Sequence, residues 1–490
     1  MTTGIEGQGD STMADQFDVI VVGGGPAGEH AVGRCADAGL SAALVEHELV
    51  GGECSYWACM PSKTLLRPGQ ALAAARRVPG AAQAVTGELD VNEALARRDW
   101  MTAGWDDKGQ LGWLDGIGAT LFRGRGRLAG ERTVEVVGPA GSTCRISARR
   151  AVILATGSTP FIPPIKGLRD IRTWDNRDVT SARRVPARLL VLGGGAVGVE
   201  MAQAWRRLGS AEVTVVEAAE RLLPNEEPFA SEEVAAAFAR EGIAVIVDAK
   251  MVAAHRQADN APVTAILEGG QTITAEEILV AVGRRPNTAQ VGLETVGLEP
   301  GGPVPVDDTL CATGVPGRWL YAIGDVNGRA PLTHMGKYHA RIAVDALLGG
   351  RVLAEADHRA IPRVTFTDPQ VAAVGLTERQ AREKRIPIRA VQVRLQDVAA
   401  AAVAGEDVTG TAQLLIDESR QVIVGASFTG PDIDGILHAA TIAIIGEVSM
   451  ERLYHSVPAF PTLSEVWLHL IQTDRAGRPA GVGNSEGETS

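Results

Sequence analysis

Phe17-Asp-Val-Ile-Val-Val22 runs directly into Gly23-Gly-Gly25-Pro-Ala-Gly28 and then into an Ala-rich stretch. The first six residues form an apolar run of strand length, the glycines mark a tight turn, and the residues beyond have helical character. A second apolar segment, Ala42-Ala-Leu-Val-Glu46, ends in an acid 18 residues after Gly28. Together these complete a G-x-G-x-x-G pattern with a ribose-binding carboxylate. Glycines let backbone approach a pyrophosphate, and the N-terminus of the next helix offers free N–H groups and a favourable dipole. The pattern recurs in Arg188-Leu-Leu-Val-Leu192, Gly193-Gly-Gly195-Ala-Val-Gly198, an Ala-rich helix to Leu208, and Val213-Thr-Val-Val-Glu217. Two dinucleotides are implied. The bland alternative, a strand-to-helix turn with no ligand, leaves the terminal acid of each copy without a purpose.

The chain of 490 residues has room for about three domains. Hydrophobic residues make up 45% and charged residues 22%, and no run approaches the ~18 apolar residues of a membrane helix. Met1 to Gln16 is polar, without a basic region and apolar core, and is expected to be a disordered lead-in; Met13 is a second possible start. With 47 basic against 59 acidic residues the net charge is −12, which argues against a nucleic-acid partner. The five cysteines, Cys35, Cys54, Cys59, Cys144 and Cys311, are too few and scattered for a secreted disulfide scaffold. A cytoplasmic location is the default. After residue 355 the texture changes to short strands, Pro362–Thr367, Val371–Gly375, Ala412–Ile416 and Gln421–Val424, without phosphate loops. This reads as a third, α+β domain, followed from Asp474 by a tail expected to be disordered.

Between the two nucleotide patterns lies Gly51-Gly-Glu-Cys54-Ser-Tyr-Trp-Ala-Cys59-Met-Pro-Ser-Lys63. Four residues between cysteines on a turn entering a helix can bring the sulfurs within disulfide reach. A zinc site needs two further ligands, and no second Cys/His pair is nearby. Inert buried thiols are the other alternative; Lys63 and the helix N-terminus favour a thiolate.

With these motifs the chain resembles the flavin-dependent pyridine nucleotide-disulfide oxidoreductases, the group of lipoamide dehydrogenase, glutathione reductase and mercuric reductase. The resemblance runs from about residue 17 to 472. It also draws on Ala155-Thr-Gly157, Glu200, Gly283-Arg-Arg-Pro-Asn287, Tyr321-Ala-Ile-Gly-Asp325, and Phe366-Thr-Asp-Pro369 with Val374-Gly-Leu-Thr-Glu378. It implies an α/β fold with two Rossmann-like domains and a C-terminal α+β dimerisation domain. The FAD-binding domain would span 17–158 and 286–355, the NAD(P)-binding domain 159–285, and the interface domain of a homodimer 356–473. Gly23, Gly25, Gly28 and Glu46 would hold the ADP half of FAD, and Asp325 its ribityl chain. Gly52, Thr156 and Gly157 join the cofactor-binding set, as do Gly193, Gly195, Gly198, Glu217 and Gly283. Lys63 and Glu200 would pair beside the flavin, Cys59 would contact it, and Cys54 would exchange with substrate. Electrons would pass from a nicotinamide to FAD, to the Cys54–Cys59 disulfide, and then to an acceptor by thiolate exchange. Glu217 favours NADH over NADPH, with Arg221 the one nearby cation that could serve a 2′-phosphate.

One departure bears on the substrate. Disulfide reductases of the family carry His-Pro-Thr-x-x-Glu near the C-terminus, supplied across the dimer. Here the segment reads Val457-Pro-Ala-Phe460-Pro461-Thr462-Leu-Ser-Glu465, with Phe460 at the His position. A phenyl ring carries no proton, and loss of an acid–base catalyst costs ~10²- to 10⁴-fold. His455 and His438 are candidate replacements. Mercuric reductases also lack that histidine but end in a cysteine pair, which this tail does not have. Tyr56 and Trp57 between the cysteines, and Trp100, Trp105 and Trp113, read as packing residues or as an aromatic substrate entrance. The leading expectation is reduction of a small-molecule disulfide of aryl, heteroaryl or thione-forming sulfur. The alternatives are a quinone or metal-ion reductase, a lipoamide dehydrogenase-like enzyme with a substitute acid, and a subunit that keeps FAD without activity.

Overall fold

The computed structural model describes residues 15–477. They divide into two compact units. The first holds residues up to Gly69, Leu89–Ala219 and Gly242–His358, so both nucleotide patterns lie in it; the second holds Gln70–Glu88, Glu220–Glu241 and Arg359 onward.

In the first unit, strand β1 (Asp15–Val22), helix α1 (Pro26–Asp37) and strand β2 (Ala42–Glu46) reproduce the strand–turn–helix–strand reading. β1 pairs in parallel with β2 and with the strand Thr143–Leu154, and Leu320–Ala322 adds a further parallel strand. The apolar run of β1 follows from burial on both faces. Val19 and Val21 pack into one core, Ile20 and Val22 into the other. Each such side chain contributes about 1.5–3 kcal/mol. The second pattern builds a parallel sheet in the order Ile243–Ile246, Glu212–Val216, Arg188–Leu192, Glu277–Val280. A two-stranded ribbon, Ser158–Pro160 against Arg284–Pro286, carries the chain from one sheet to the other and back.

The second unit contains a five-stranded antiparallel sheet of Pro362–Thr365, Gln370–Gly375, Val422–Gly430, Thr411–Asp417 and Ile388–Arg394. The last of these was absent from the sequence reading, because its alternation Ile388-Arg-Ala-Val-Gln-Val-Arg394 is half polar. The sheet packs on the helices Asp434–Ile445 and Glu465–Ala476 through Phe428, Leu437, Trp467 and Leu470.

Both expected disordered ends need correction where they overlap the described residues. Asp15 and Gln16 belong to β1, paired with Ile146 and Ser147; residues 1–14 lie outside the described residues. The helix Glu465–Ala476 runs through Asp474, which is 4% exposed and accepts from Arg389 Nε at 2.5 Å. A buried, charge-paired acid is what a composition-based reading of the tail overlooked. Residues 478–490 lie outside the described residues. Among the described residues no helix is long and apolar enough to cross a membrane.

Candidate active site

The glycines of the first turn divide their work by position. At Gly23, φ is +105° and an added Cβ would lie 2.3 Å from Ala155 O; at Gly28 it would lie 1.9 Å from Gly23 O. Only glycine permits that turn and that close helix–strand contact. A Cβ on Gly25 would meet nothing within 4 Å, so open space lies over the N-terminus of α1, where a pyrophosphate fits. Glu46 closes the cradle: its carboxylate accepts from Gly24 N and Glu48 N, both at 2.7 Å. Burial opposes its charge, yet these bonds and His47 hold its pKa below the usual range.

The second turn repeats the geometry. Cβ atoms on Gly193 and Gly198 would lie 2.6 Å from Ala281 O and 1.9 Å from Gly193 O, while Gly195 again has nothing within 4 Å. Glu217 accepts from Gly194 N at 2.6 Å and Ala219 N at 2.7 Å. The residues present therefore fit two dinucleotides.

The cysteine segment is anchored to the first cradle. Gly51 N donates to Gly24 O at 2.8 Å. A Cβ on Gly52, at φ +56°, would lie 2.7 Å from Gly25 Cα. Cys54 sits in helix α2 (Gly52–Tyr56), and Cys59 opens helix α3 (Cys59–Arg76). Both stand as thiols and share a hydrogen bond. That bond from Cys54, with Thr333 and the charge of Lys63, lowers the Cys59 pKa against burial and Glu200; the same bond, with burial, raises that of Cys54. Cys59 is thus the stabilised thiolate of the pair. Cys59 Sγ lies 3.3 Å from Thr333 Oγ1. Lys63 Nζ donates to Glu200 Oε2 at 2.6 Å, and Glu200 is 3% exposed.

A polar relay that the sequence reading missed joins this segment to Asp325. Glu53 Oε2 accepts from Asn176, whose Oδ1 accepts from Arg284; Arg284 Nε donates to Ser158 Oγ at 2.8 Å, and Ser158 Oγ donates to Asp325 Oδ2 at 2.5 Å. Arg284 stood inside a motif whose glycine alone had been singled out; Asn176 and Thr333 carried no sequence signal. Thr156 Oγ1 donates to Asn287 O at 2.8 Å, and Asn287 N to Gly157 O at 2.9 Å, so those residues lock the two crossing strands together. Gly283 adopts φ +129° with nothing within 4 Å of an added Cβ.

Neither aromatic between the cysteines offers a free ring. Tyr56 is 2% exposed and donates to Val50 O at 3.1 Å. Trp57 lies under the Arg177 guanidinium, 4.1 Å from its ring centre, while Arg177 holds Glu48 and Glu53. Trp105 donates to Tyr56 O at 3.1 Å. In the second unit Phe460 is 73% exposed, and Glu465 Oε2 is buried with no hydrogen-bond partner among the described residues. His438 and His455 are exposed, the latter against Tyr454.

Residues 17–340 match the family model described as pyridine nucleotide-disulphide oxidoreductase, and 361–471 match its dimerisation domain. The chain is 32% identical over 460 residues to dihydrolipoyl dehydrogenase of Chlamydia muridarum, covering 93% of this chain and 96% of that one. It is 29% identical over 455 residues to mercuric reductase of Lysinibacillus sphaericus, covering 92% and 81%. Among solved structures, the Cu(II) complex of the HOCl-induced flavoprotein disulfide reductase RclA from Escherichia coli aligns with a TM-score of 0.80 at 25% identity, over 93% and 99% of the two chains. Two nucleotide cradles, a thiol pair tied to the first of them, and matches along nearly the whole chain lead to one conclusion: this protein belongs to the pyridine nucleotide-disulphide oxidoreductase family, whose members are FAD-dependent NAD(P)H:disulfide oxidoreductases.

Proposed function

We propose that the enzyme uses NADH to reduce a small-molecule disulfide whose sulfur is already stable as an anion, an aryl, heteroaryl or thione-forming thiol. The observation that carries this reading is an intact dithiol, Cys54 and Cys59 with the Lys63–Glu200 pair, in a chain that has Phe460 where the family resemblance implies a histidine proton donor. Bound FAD supplies the two-electron link between the nicotinamide and the Cys54–Cys59 disulfide. Gly23, Gly25, Gly28 and Glu46 hold its ADP half, with Gly52, Thr156, Gly157 and Asp325 around the rest; Gly193, Gly195, Gly198, Glu217 and Gly283 serve the nicotinamide nucleotide. Cys54 passes its proton to the Cys59 thiolate through their shared hydrogen bond and attacks one acceptor sulfur, forming a mixed disulfide and expelling the first thiolate, and Cys59 releases that proton to solvent. Cys59 then attacks Cys54 Sγ, closing the internal disulfide and expelling the second; both take protons from solvent. Exchange quickens as the leaving thiol's pKa falls. An alkyl thiol, at about 8.5 like cysteine, is disfavoured without an acid. An anaerobic NADH titration followed by a screen of disulfides and quinones tests the reading; turnover confined to quinones rejects it.

The nucleotide choice rests on Glu217, whose carboxylate accepts from a ribose 2′-hydroxyl and repels a 2′-phosphate. Arg221, the rival cation, spends its guanidinium on Glu220, Pro224 O and Glu226 O. We expect kcat/KM for NADH to exceed that for NADPH by roughly tenfold or more. Steady-state rates favouring NADPH contradict this assignment.

The dimerisation-domain match supports a homodimer. Val457 at 88% exposure and Phe460 at 73% are apolar surface of the kind an interface covers. Sedimentation is expected to show a dimer; an active monomer overturns it.

A further inference from the structure

A cavity of about 330 Å³ is lined by Pro26, Glu29, His30, Gln110, Trp113 and Lys337. It lies where α1, the helix Lys108–Gly116 and the helix Thr333–Leu347 meet. It adjoins the cysteine helix: Tyr56, two residues past Cys54, donates to Gln110 Oε1 at 3.2 Å. The charge of Lys337 acts on the Cys54 thiol and on the Glu29 carboxyl alike.

The cavity leans positive. Lys337 lines it from the helix Thr333–Leu347, the charge of Arg341 one turn further on reaches His30, and Arg34 on α1 is paired with Asp345. Burial, then Arg341, Lys337 and Arg34, hold His30 below its usual range against Asp37, and its Nε2 is buried without a hydrogen-bond partner among the described residues. Burial pushes Glu29 up to about 7, with Lys337 opposing. Tyr56 is likewise raised by burial, with Asp107, Glu29 and Asp106 adding to it and Arg123 opposing. Near neutrality the cavity therefore presents the Lys337 side chain, a neutral imidazole, a carboxyl about half protonated and a partly open indole, Trp113 being 39% exposed.

We propose that this cavity receives a carboxylate-bearing aryl group of the acceptor, with the carboxylate on Lys337, a hydrogen bond to it from the Glu29 carboxyl, and the ring against Trp113. The inference rests on the disulfide-reductase reading above and narrows its substrate class to anionic aryl disulfides. Ionisation of Glu29 sets a like charge beside the bound carboxylate, so binding weakens as pH rises through about 7. Neutral and cationic acceptors lack that dependence.

The test uses the whole enzyme and three bis-aryl disulfides: one with a carboxylate on each ring, its methyl ester, and an amine-bearing analogue. The carboxylate is expected to show a KM about tenfold below the other two near pH 6 and to lose about three- to tenfold of that advantage by pH 8. Lys337→Gln should raise the ratio of the carboxylate's KM to the ester's by about tenfold, a ratio in which any effect of the lost charge on Cys54 cancels. Glu29→Gln should flatten the pH dependence of KM. Equal KM values for the three probes, or a charge preference that survives Lys337→Gln, overturn the inference. Ester turnover that survives Cys54→Ser instead overturns the disulfide-exchange reading beneath it, so the two failures are told apart.

Discussion

Cys54→Ser is expected to lower disulfide-reductase turnover by roughly three orders of magnitude or more, because covalent catalysis loses its nucleophile and the remaining groups cannot replace it. Reduction by NADH should persist, since the nucleotide cradles and Cys59 are untouched. Two-electron reduction of the wild type should produce a long-wavelength charge-transfer band from the Cys59 thiolate, whose pKa is lowered by its hydrogen bond from Cys54, by Thr333 and by Lys63. In Cys59→Ser that band should vanish. Its absence from the wild type, or its survival in Cys59→Ser, removes Cys59 from this role. If instead Cys54→Ser leaves an acceptor such as a quinone fully active, electrons leave without the dithiol, and the quinone-reductase alternative replaces the reading proposed above.

Phe460→His carries the second large effect, in the opposite direction. The buried Glu465 Oε2 has no hydrogen-bond partner among the described residues, and an unpaired buried acceptor typically costs ~1–3 kcal/mol. An imidazole at position 460 restores a proton donor for the leaving thiol. Lipoamide turnover should therefore rise by at least about tenfold, a part of the ~10²- to 10⁴-fold that general acid catalysis supplies. An aryl disulfide, whose thiolate leaves without a proton, should gain little. Equal gains on both substrates, or efficient lipoamide turnover by the wild type, remove the basis for the aryl class. Weight then shifts to a substitute acid such as His455, whose exposed ring rests against Tyr454.

Both nucleotide cradles were legible in the sequence. Their information is local: a strand of buried side chains, glycines at fixed offsets, and an acid at the end of the next strand, all within about 30 residues. The repetition of Gly23, Gly25, Gly28 and Glu46 in Gly193, Gly195, Gly198 and Glu217 needed no knowledge of distant contacts, and the structure gives both sets the same hydrogen bonds. The Lys63–Glu200 pair was reached only through family resemblance, since 137 residues separate its members. Composition misplaced the chain ends, because Asp15 earns its strand pairing from Ile146 and Asp474 its burial from Arg389, partners that no local window contains.

What the amino-acid sequence determined by itself is the chemistry: two dinucleotides, a thiol pair, and no proton donor at position 460. Only the tertiary structure decided the surroundings of that chemistry. Thr333 reaches Cys59 across 274 residues, and the relay from Glu53 to Asp325 passes through Asn176, Arg284 and Ser158. The cavity of Glu29, Trp113 and Lys337 exists because three helices converge. The physical reason is that glycine conformations and strand periodicity are properties of neighbours along the chain. Electrostatic fields, burial and cavity walls belong to segments that meet only once the cores of the folded unit have packed.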